Sequence, residues 1–297
     1  MQTGILLAFL AYLAYACSDA AAKALGAELS VFQIGFSISL IALILCMLSK
    51  RPDVSWRTIL RPKRPGLVAL RAASGTFGGI CAVVAFTTLP LAEAYALIFL
   101  LPLVAALMSR AILRESVTFG RWLALVGGLV GVLLVVRPGF QELSLGHLAG
   151  LGCALSGAAN VILLRTLGPT ENRLTLIGAV LGLATLVNGA AMVPSFTVPG
   201  LDLLPILLFG GVTAGIGHLA MVMGARLAPA SRIAPTQYSQ IVWASLFGAV
   251  LFGEFPDPLA VAGMALVGFF GMLTLAPERV AGARRPIWAR LRGNRVA

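Results

Sequence analysis

The sequence predicts an all-α integral membrane protein, with ten transmembrane helices arranged as two inverted five-helix repeats. Three observations carry that prediction. Composition is the first: 59% of the 297 residues are hydrophobic, 11% are charged, and mean hydropathy is +0.96. Soluble domains carry about 25% charged residues, more than twice this share. The second is spacing, because apolar runs of roughly 20 residues, enough to cross about 30 Å of hydrocarbon, succeed one another with short breaks. The third is a weak internal repeat that relates the two halves of the chain.

The runs lie at about 3–25, 31–49, 66–89, 91–112, 119–136, 145–167, 174–194, 203–226, 230–253 and 258–276. They are rich in Gly, Ala and Leu and do not alternate in character, which excludes barrel strands. The first contains Ala14-Tyr15-Ala16, a signal-peptidase-like triplet, but no Lys or Arg precedes it and the run continues past it. It therefore reads as a retained span. With the N-terminus in the cytoplasm, 20 of the 22 Lys and Arg residues fall in cytoplasmic breaks or in the tail, leaving only Lys23 and Arg137 outside. Lys/Arg bias in short loops sets orientation, so both termini are expected inside a cell inner (plasma) membrane. The net charge of +11 then marks topology, with a basic tail lying against anionic lipid. Nucleic acid is excluded as a partner. Cys17, Cys46, Cys81 and Cys153 all sit within runs and make no CxxC, so they read as small packing residues. No metal or cofactor is expected.

A shift of 139 residues lays 89–115 over 228–254, matching Pro90 with Pro229, Leu107 with Leu246 and Glu115 with Glu254. One inserted residue then matches Gly128 with Gly268, and a shift of 142 sets Lys23 over Arg165. The expected units are residues 1–138 and 139–278, followed by a basic tail, 279–297. Five spans per unit is an odd number, so the second unit must enter the membrane inverted. Inverted repeats are a transporter architecture in which two halves rock about a site near the midplane.

AFTTLPLAEAYALIFLLPLVAALMSRAILRESVTFGRWLALVGGLVGVLLVV and MGARLAPASRIAPTQYSQIVWASLFGAVLFGEFPDPLAVAGMALVGFFGMLTL share one wording. A helix ends L-x-P, a polar turn follows, a long span closes on small-x-x-x-E, and a Gly-rich span comes next. Both resemble the EamA domains of the drug/metabolite transporter superfamily, and within it the chain is most similar to bacterial amino-acid exporters of the YddG type. The resemblance implies ten helices and export of small metabolites by alternating access.

Polar residues at membrane depth face protein or water, because a charge at a helix centre costs about 2.5–3.5 kcal/mol. The expected cavity-lining residues are Ser18, Thr76, Tyr95, Phe99, Asn160, His218, Gln237, Tyr238, Gln240 and Trp243. Gln237, Gln240 and Trp243 share one helical face, and Tyr95 and Phe99 form an i, i+4 aromatic pair. Amides and rings suit a zwitterion with an apolar side chain. Alternatively, the glutamines tie helices together and the rings fill the core, and His218 is a hydrogen-bonded packing residue. Asp19 is a possible coupling residue, but it lies one turn from Lys23 and is expected to pair with it. On that ground no coupled proton is expected. Glu115 and Glu254 are expected to pair or cap locally, Glu254 at the start of the tenth span. Arg71, Arg165 and Arg226 are expected to snorkel at helix ends. Pro102 and Pro235 are expected to kink spans four and nine.

Amino acids are thus the expected cargo, carried by a monomer or weak dimer. A strongly anionic cargo such as a nucleotide derivative would want buried cations, and a polyamine several buried acids. An integral membrane enzyme is the alternative of another class. The chain has no HExxH, no G-x-S-x-G and no paired intramembrane aspartates, and His147 and His218 are far apart in sequence. The charge asymmetry makes a direct prediction. In intact cells an impermeant thiol reagent should label single cysteines placed in 196–201 and spare those in 51–64. Labelling of 51–64 from outside would overturn the orientation and the inversion together.

Overall fold

The computed structural model describes residues 2–101, 103–105, 107–108, 119–136, 143–168, 170–227 and 234–274. Among them there is no strand. The helices are α1 (Gln2–Leu25), α2 (Val31–Leu48), α3 (Trp56–Leu60), α4 (Pro65–Thr88), α5 (Leu91–Ile98) and α6 (Phe119–Val136). They continue with α7 (Leu145–Leu167), α8 (Arg173–Met192), α9 (Leu204–Leu227), α10 (Ser239–Phe252) and α11 (Pro258–Thr274). Short 3₁₀ turns occupy Val193–Ser195 and Ala234–Tyr238.

Local chemistry sets the starts of these helices. Ser30 accepts a hydrogen bond from the Gln33 amide at 3.3 Å, and Asn172 Oδ1 accepts one from the Leu174 amide at 2.9 Å. Each satisfies a donor that the first turn of a helix leaves free. Pro65 opens α4 at a position where the missing N–H and fixed φ are no handicap.

Most apolar runs become helices within a few residues of the expected bounds, and three features depart from expectation. The run 91–112 is not one helix: α5 stops at Ile98, the Leu100 amide bonds Leu97 in a tighter turn, and the chain is helical again at Leu101. Pro102 lies outside the described residues, and a proline has no N–H to return to the carbonyl four residues back. In the run 230–253, Pro235 sits in the 3₁₀ turn ahead of α10 rather than inside a kinked α-helix. The third is α3, a single turn capped by Ser55 in the basic loop, which apolar run length does not reveal.

Among the described residues six helices are long and apolar enough to cross a membrane: α1, α2, α4, α7, α8 and α9. Leu91–Ala105, Val126–Val135 and Pro258–Phe270 are apolar but shorter. Five of them close a ring, α1 against α9, α9 against α2, α2 against α8, α8 against α4 and α4 against α1, and α7 packs against α4. Beside it α6 pairs with α11, while α5 and α10 lie against each other and against α7 and α1 respectively. Large apolar side chains such as Leu48, Leu70 and Leu186 point outward, as lipid requires. The buried face of α1 is instead mostly alanine (Ala8, Ala11, Ala14, Ala20–22). Small residues let helix backbones close on each other where lipid supplies no hydrophobic drive between them.

The tightest approach joins α6 to α11 at Gly131 and Gly263. A Cβ on Gly263 would stand 2.6 Å from the Gly131 carbonyl oxygen, and one on Gly131 would stand 2.7 Å from that of Gly263. Backbone cannot swing aside as a side chain can, so Gly263→Ala should lower stability by about 2 kcal/mol, in the range of overpacked cores. Thermal unfolding in detergent checks this, and a melting temperature unchanged from wild type would contradict it.

Candidate functional site

Between these six helices lies a half-open cavity of about 400 Å³. From α1 it receives Tyr15, Ser18, Asp19 and Ala22, which the spacing i, i+3, i+4, i+7 sets on one face. Ser39 of α2, Thr76 of α4, Ser156 and Asn160 of α7, Asn188 of α8 and His218 of α9 complete the polar lining. Among the described lining residues Asp19 is the only carboxylate, and no Lys or Arg occurs.

Most of these polar groups are held by neighbours. The Asn160 amide donates to Ser74 Oγ at 3.3 Å and to the Ser156 carbonyl at 3.4 Å. The Tyr15 hydroxyl lies 3.2 Å from His218 Nδ1. Asn188 Nδ2 donates to the Ala184 carbonyl at 2.8 Å. Two atoms of the lining remain over: Thr76 Oγ1 and Asn188 Oδ1 are buried and have no hydrogen-bond partner among the described residues. A buried acceptor without a donor costs about 1–3 kcal/mol, so these atoms favour an occupant that brings donors.

Ser18, Asp19, Thr76, Asn160 and His218 thus meet around one cavity, while the other expected residues take places behind its wall. The Tyr95 hydroxyl donates to Asp19 Oδ2, and Gln240 Nε2 donates to the Tyr95 hydroxyl at 3.5 Å. Tyr95, Phe99 and Tyr238 are buried and continue from Phe86 as a train of rings with centroids 5.3, 6.0 and 5.5 Å apart. Gln240 is also buried, 8% exposed. Trp243 stacks on Phe247, with its indole N–H buried and without a hydrogen-bond partner among the described residues. Gln237 and Trp243 are not among the residues that line the cavity. The polar residues of 237–243 therefore do not share one role, and Gln240 reaches the cavity only through Tyr95.

Two expected pairings are corrected. Lys23 does not pair with Asp19: its Nζ lies 2.8 Å from Glu254 Oε1, donates to the Leu89 carbonyl at 2.6 Å and sits 5.3 Å from the centre of the Phe252 ring. Glu254 does not cap the helix that follows it, since its Oε2 accepts from the Leu91 amide at 3.0 Å. The carboxylate thereby serves the bare N-terminus of α5, whose N-cap is Pro90 and offers no side-chain bond. Gly253 makes this possible. At φ 65° it ends α10 in the left-handed region, and the Glu254 amide folds back to the Gly248 carbonyl at 2.9 Å. Arg71, expected to snorkel, instead donates to the Leu176 carbonyl of α8. Glu115 lies outside the described residues, as do the side chains of Arg165 and Arg226.

The sequence reading also missed the next contact along α5. His147 Nδ1 accepts from the Ser144 amide at 2.9 Å, which leaves Nε2 to meet Glu93 Oε1 at 2.9 Å. That donor arrangement is assigned from the hydrogen-bond network. The signal was present in part, because Ser144 three residues before His147 is a capping-box spacing. The start of α5 is thus clamped by Glu254 from α10 and by His147 from α7. A second hollow of about 410 Å³, lined in part by Glu93, Glu254 and Asp257, lies at this end.

A mainly apolar cavity that carries a few convergent polar groups among membrane-length helices, with an ion pair set beside one end, is a site for carrying a small solute across a bilayer. The chain belongs to the EamA-like transporter family, of the drug/metabolite transporter superfamily, which matches residues 2–137 and 143–276. It is 27% identical to the pseudopaline exporter CntI of Pseudomonas aeruginosa over 90% of this chain and 94% of that one. It is 26% identical to a riboflavin transporter of Vibrio cholerae over 60% of each chain. With an S-adenosylmethionine uptake transporter of Rickettsia prowazekii it shares 22% identity over 84% of each. A solved crystal structure has the same fold, with a TM-score of 0.68 at 18% identity, covering 92% of this chain and 96% of that chain. This protein is therefore a multi-pass membrane transporter.

The Lys23–Glu254 pair is largely buried, with side-chain exposures of 12% and 25%. Removing one member of such a pair strands the other, at about 3–5 kcal/mol. Lys23→Met should accordingly destabilise the protein by about 3 kcal/mol, and adding Glu254→Gln should restore part of the loss. Melting temperatures of the two single variants and the double variant measure this, and strictly additive losses would show that the two groups do not interact.

Proposed function

We propose that this transporter exports amino acids, with breadth across neutral and aromatic members, through the inner membrane by alternating access. The cavity carries the reading. About 400 Å³ suits a small metabolite, and its lining combines amides, hydroxyls and one carboxylate with apolar wall. The exporter among the relatives, matched over nearly its full length, supports the outward direction. The relatives' cargoes differ, so the choice of amino acids comes from the lining and from the resemblance to amino-acid exporters.

Alternating access is supported by the packing. Number the runs one to ten and exchange each with the run five places on. The pairing of runs one and eight then becomes that of six and three, two and eight becomes seven and three, and one and nine becomes six and four. Two with seven, four with nine and five with ten map onto themselves. Each of these pairs packs together, as two similar halves related by a two-fold axis in the membrane plane would require. The family match in two stretches fits units of 1–138 and 139–278.

On the orientation that the basic residues give, Lys23, Leu89, Leu91 and Glu254 lie at the outer end. Their ion pair and helix cap then form a latch that holds the outer face closed. The repeat aligns Arg165 with Lys23 and Glu115 with Glu254 in sequence. Because Lys23 is engaged with Glu254, the ground for excluding a coupled proton at Asp19 disappears. The reading is not enzymatic.

Purified protein in liposomes tests all of this. Labelled phenylalanine should equilibrate at least tenfold faster than through protein-free membranes and be recovered unchanged. Failure to move any neutral amino acid would overturn the cargo, and chemical conversion of the label would overturn the reading of a carrier. Glu254→Gln should alter the rate without abolishing binding, as expected for a latch.

A further inference from the structure

We propose that Asp19 is the seat of a primary ammonium group on the cargo, so that the amine and not the carboxylate of an amino acid is what the cavity chiefly recognises. This deepens the transport reading and rests on it for the cavity being the cargo's path. Four observations converge. Asp19 is half-buried in the cavity wall, and its natural partner one turn away, Lys23, is committed to Glu254 and Leu89. Tyr95 fixes Asp19 Oδ2, while Oδ1 has no hydrogen-bond partner among the described residues. The buried, partnerless Thr76 Oγ1 and Asn188 Oδ1 belong to the same lining and are able to accept N–H groups. No Lys or Arg lines the cavity among the described residues, so a purely anionic cargo finds no counter-charge there.

The physical step is short. A carboxylate in a low-dielectric wall is strongly unfavourable unless a cation or a proton joins it. Among the described residues the lining supplies no Lys or Arg, and the imidazole of His218 has its Nδ1 engaged with the Tyr15 hydroxyl. An ammonium meets the need with a charge-assisted bond to Oδ1, and its remaining N–H groups match acceptors of the lining. The orientation of Asp19 is prearranged through Tyr95 and, behind it, Gln240. Little reorganisation is then required when the cargo arrives.

Three ligands separate the chemistry: phenylalanine, phenethylamine, which lacks the carboxylate, and N-acetylphenylalanine, which lacks the ammonium. Each is titrated into the detergent-purified full chain while the melting temperature is followed, alongside movement of labelled phenylalanine in liposomes. Phenylalanine and phenethylamine should raise the melting temperature with half-maximal concentrations within about tenfold of each other, whereas the acetylated compound should need at least tenfold more. Asp19→Asn should erase that preference, since the amide still accepts the Tyr95 hydroxyl but carries no charge. If this variant does not fold, the three ligands on the wild-type protein decide alone. Stabilisation by phenethylamine without phenylalanine transport would leave the ammonium site standing and overturn amino-acid export. Phenylalanine transport with N-acetylphenylalanine stabilising as well as its parent, or with Asp19→Asn binding unchanged, would overturn the ammonium site and leave export standing. Absence of any thermal shift would overturn the site as well.

Discussion

In the hydrocarbon layer no water is available to complete a hydrogen bond, so polar groups turn away from lipid, toward partners within the protein or toward a cavity. That constraint orders the whole structure. It sends Leu48, Leu70 and Leu186 outward and turns Asp19, Asn160, Asn188 and His218 inward. It also decides which charges meet. Lys23 and Asp19 stand one turn apart on α1, yet each takes its partner from another helix. Lys23 goes to Glu254, whose second oxygen must serve the bare start of α5. A three-way contact of lysine, carboxylate and helix N-terminus satisfies more groups than a local i, i+4 pair could. Asp19 is thereby left to the Tyr95 hydroxyl and to the cavity.

The span positions were legible in the sequence because run length in apolar residues is a one-dimensional quantity. Membrane thickness fixes that length, and α1, α2, α4, α7, α8 and α9 begin and end within a few residues of the runs that announced them. The interruption after Ile98 and the 3₁₀ entry to α10 were less legible. Pro102 and Pro235 marked the places, but a proline only withholds one donor. Whether the chain then kinks, breaks or tightens depends on the packing around it. The short helix α3 went unseen because its five residues, Trp56–Leu60, carry too little periodicity to stand out from a basic loop.

Within the site, the expected residues that the structure places around one cavity are Ser18, Asp19, Thr76, Asn160 and His218. The signal is a polar side chain on an otherwise small or apolar helix, which turns away from lipid. Tyr95, Gln240 and Tyr238 satisfy the same rule, and the sequence could not separate them from the lining. A residue that lines a cavity and one that supports a lining residue are both polar and both buried. Only the geometry shows that Gln240 reaches Asp19 through Tyr95. Ser39 and Asn188, which donate to carbonyls one turn back on their own helices as ordinary helix glue does, carried no sequence signal that set them apart, and nor did Ser156.

The α10 helix has a property that neither of its ends displays alone. Gln240, near its start, bonds the tyrosine that holds the cavity carboxylate, and Glu254, just past its end, clamps the start of α5. Fourteen residues at 1.5 Å each make the intervening rod about 21 Å long, with no proline to bend it. A stiff rod fastened at both ends transmits displacement as a crowbar does. On the proposed reading, a shift of the tyrosine when the carboxylate changes its occupant would be felt by α10, whose other end carries the clamp on α5. Occupancy of the cavity and the proposed latch would then be joined by one helix, reached from Asp19 through Tyr95 and Gln240.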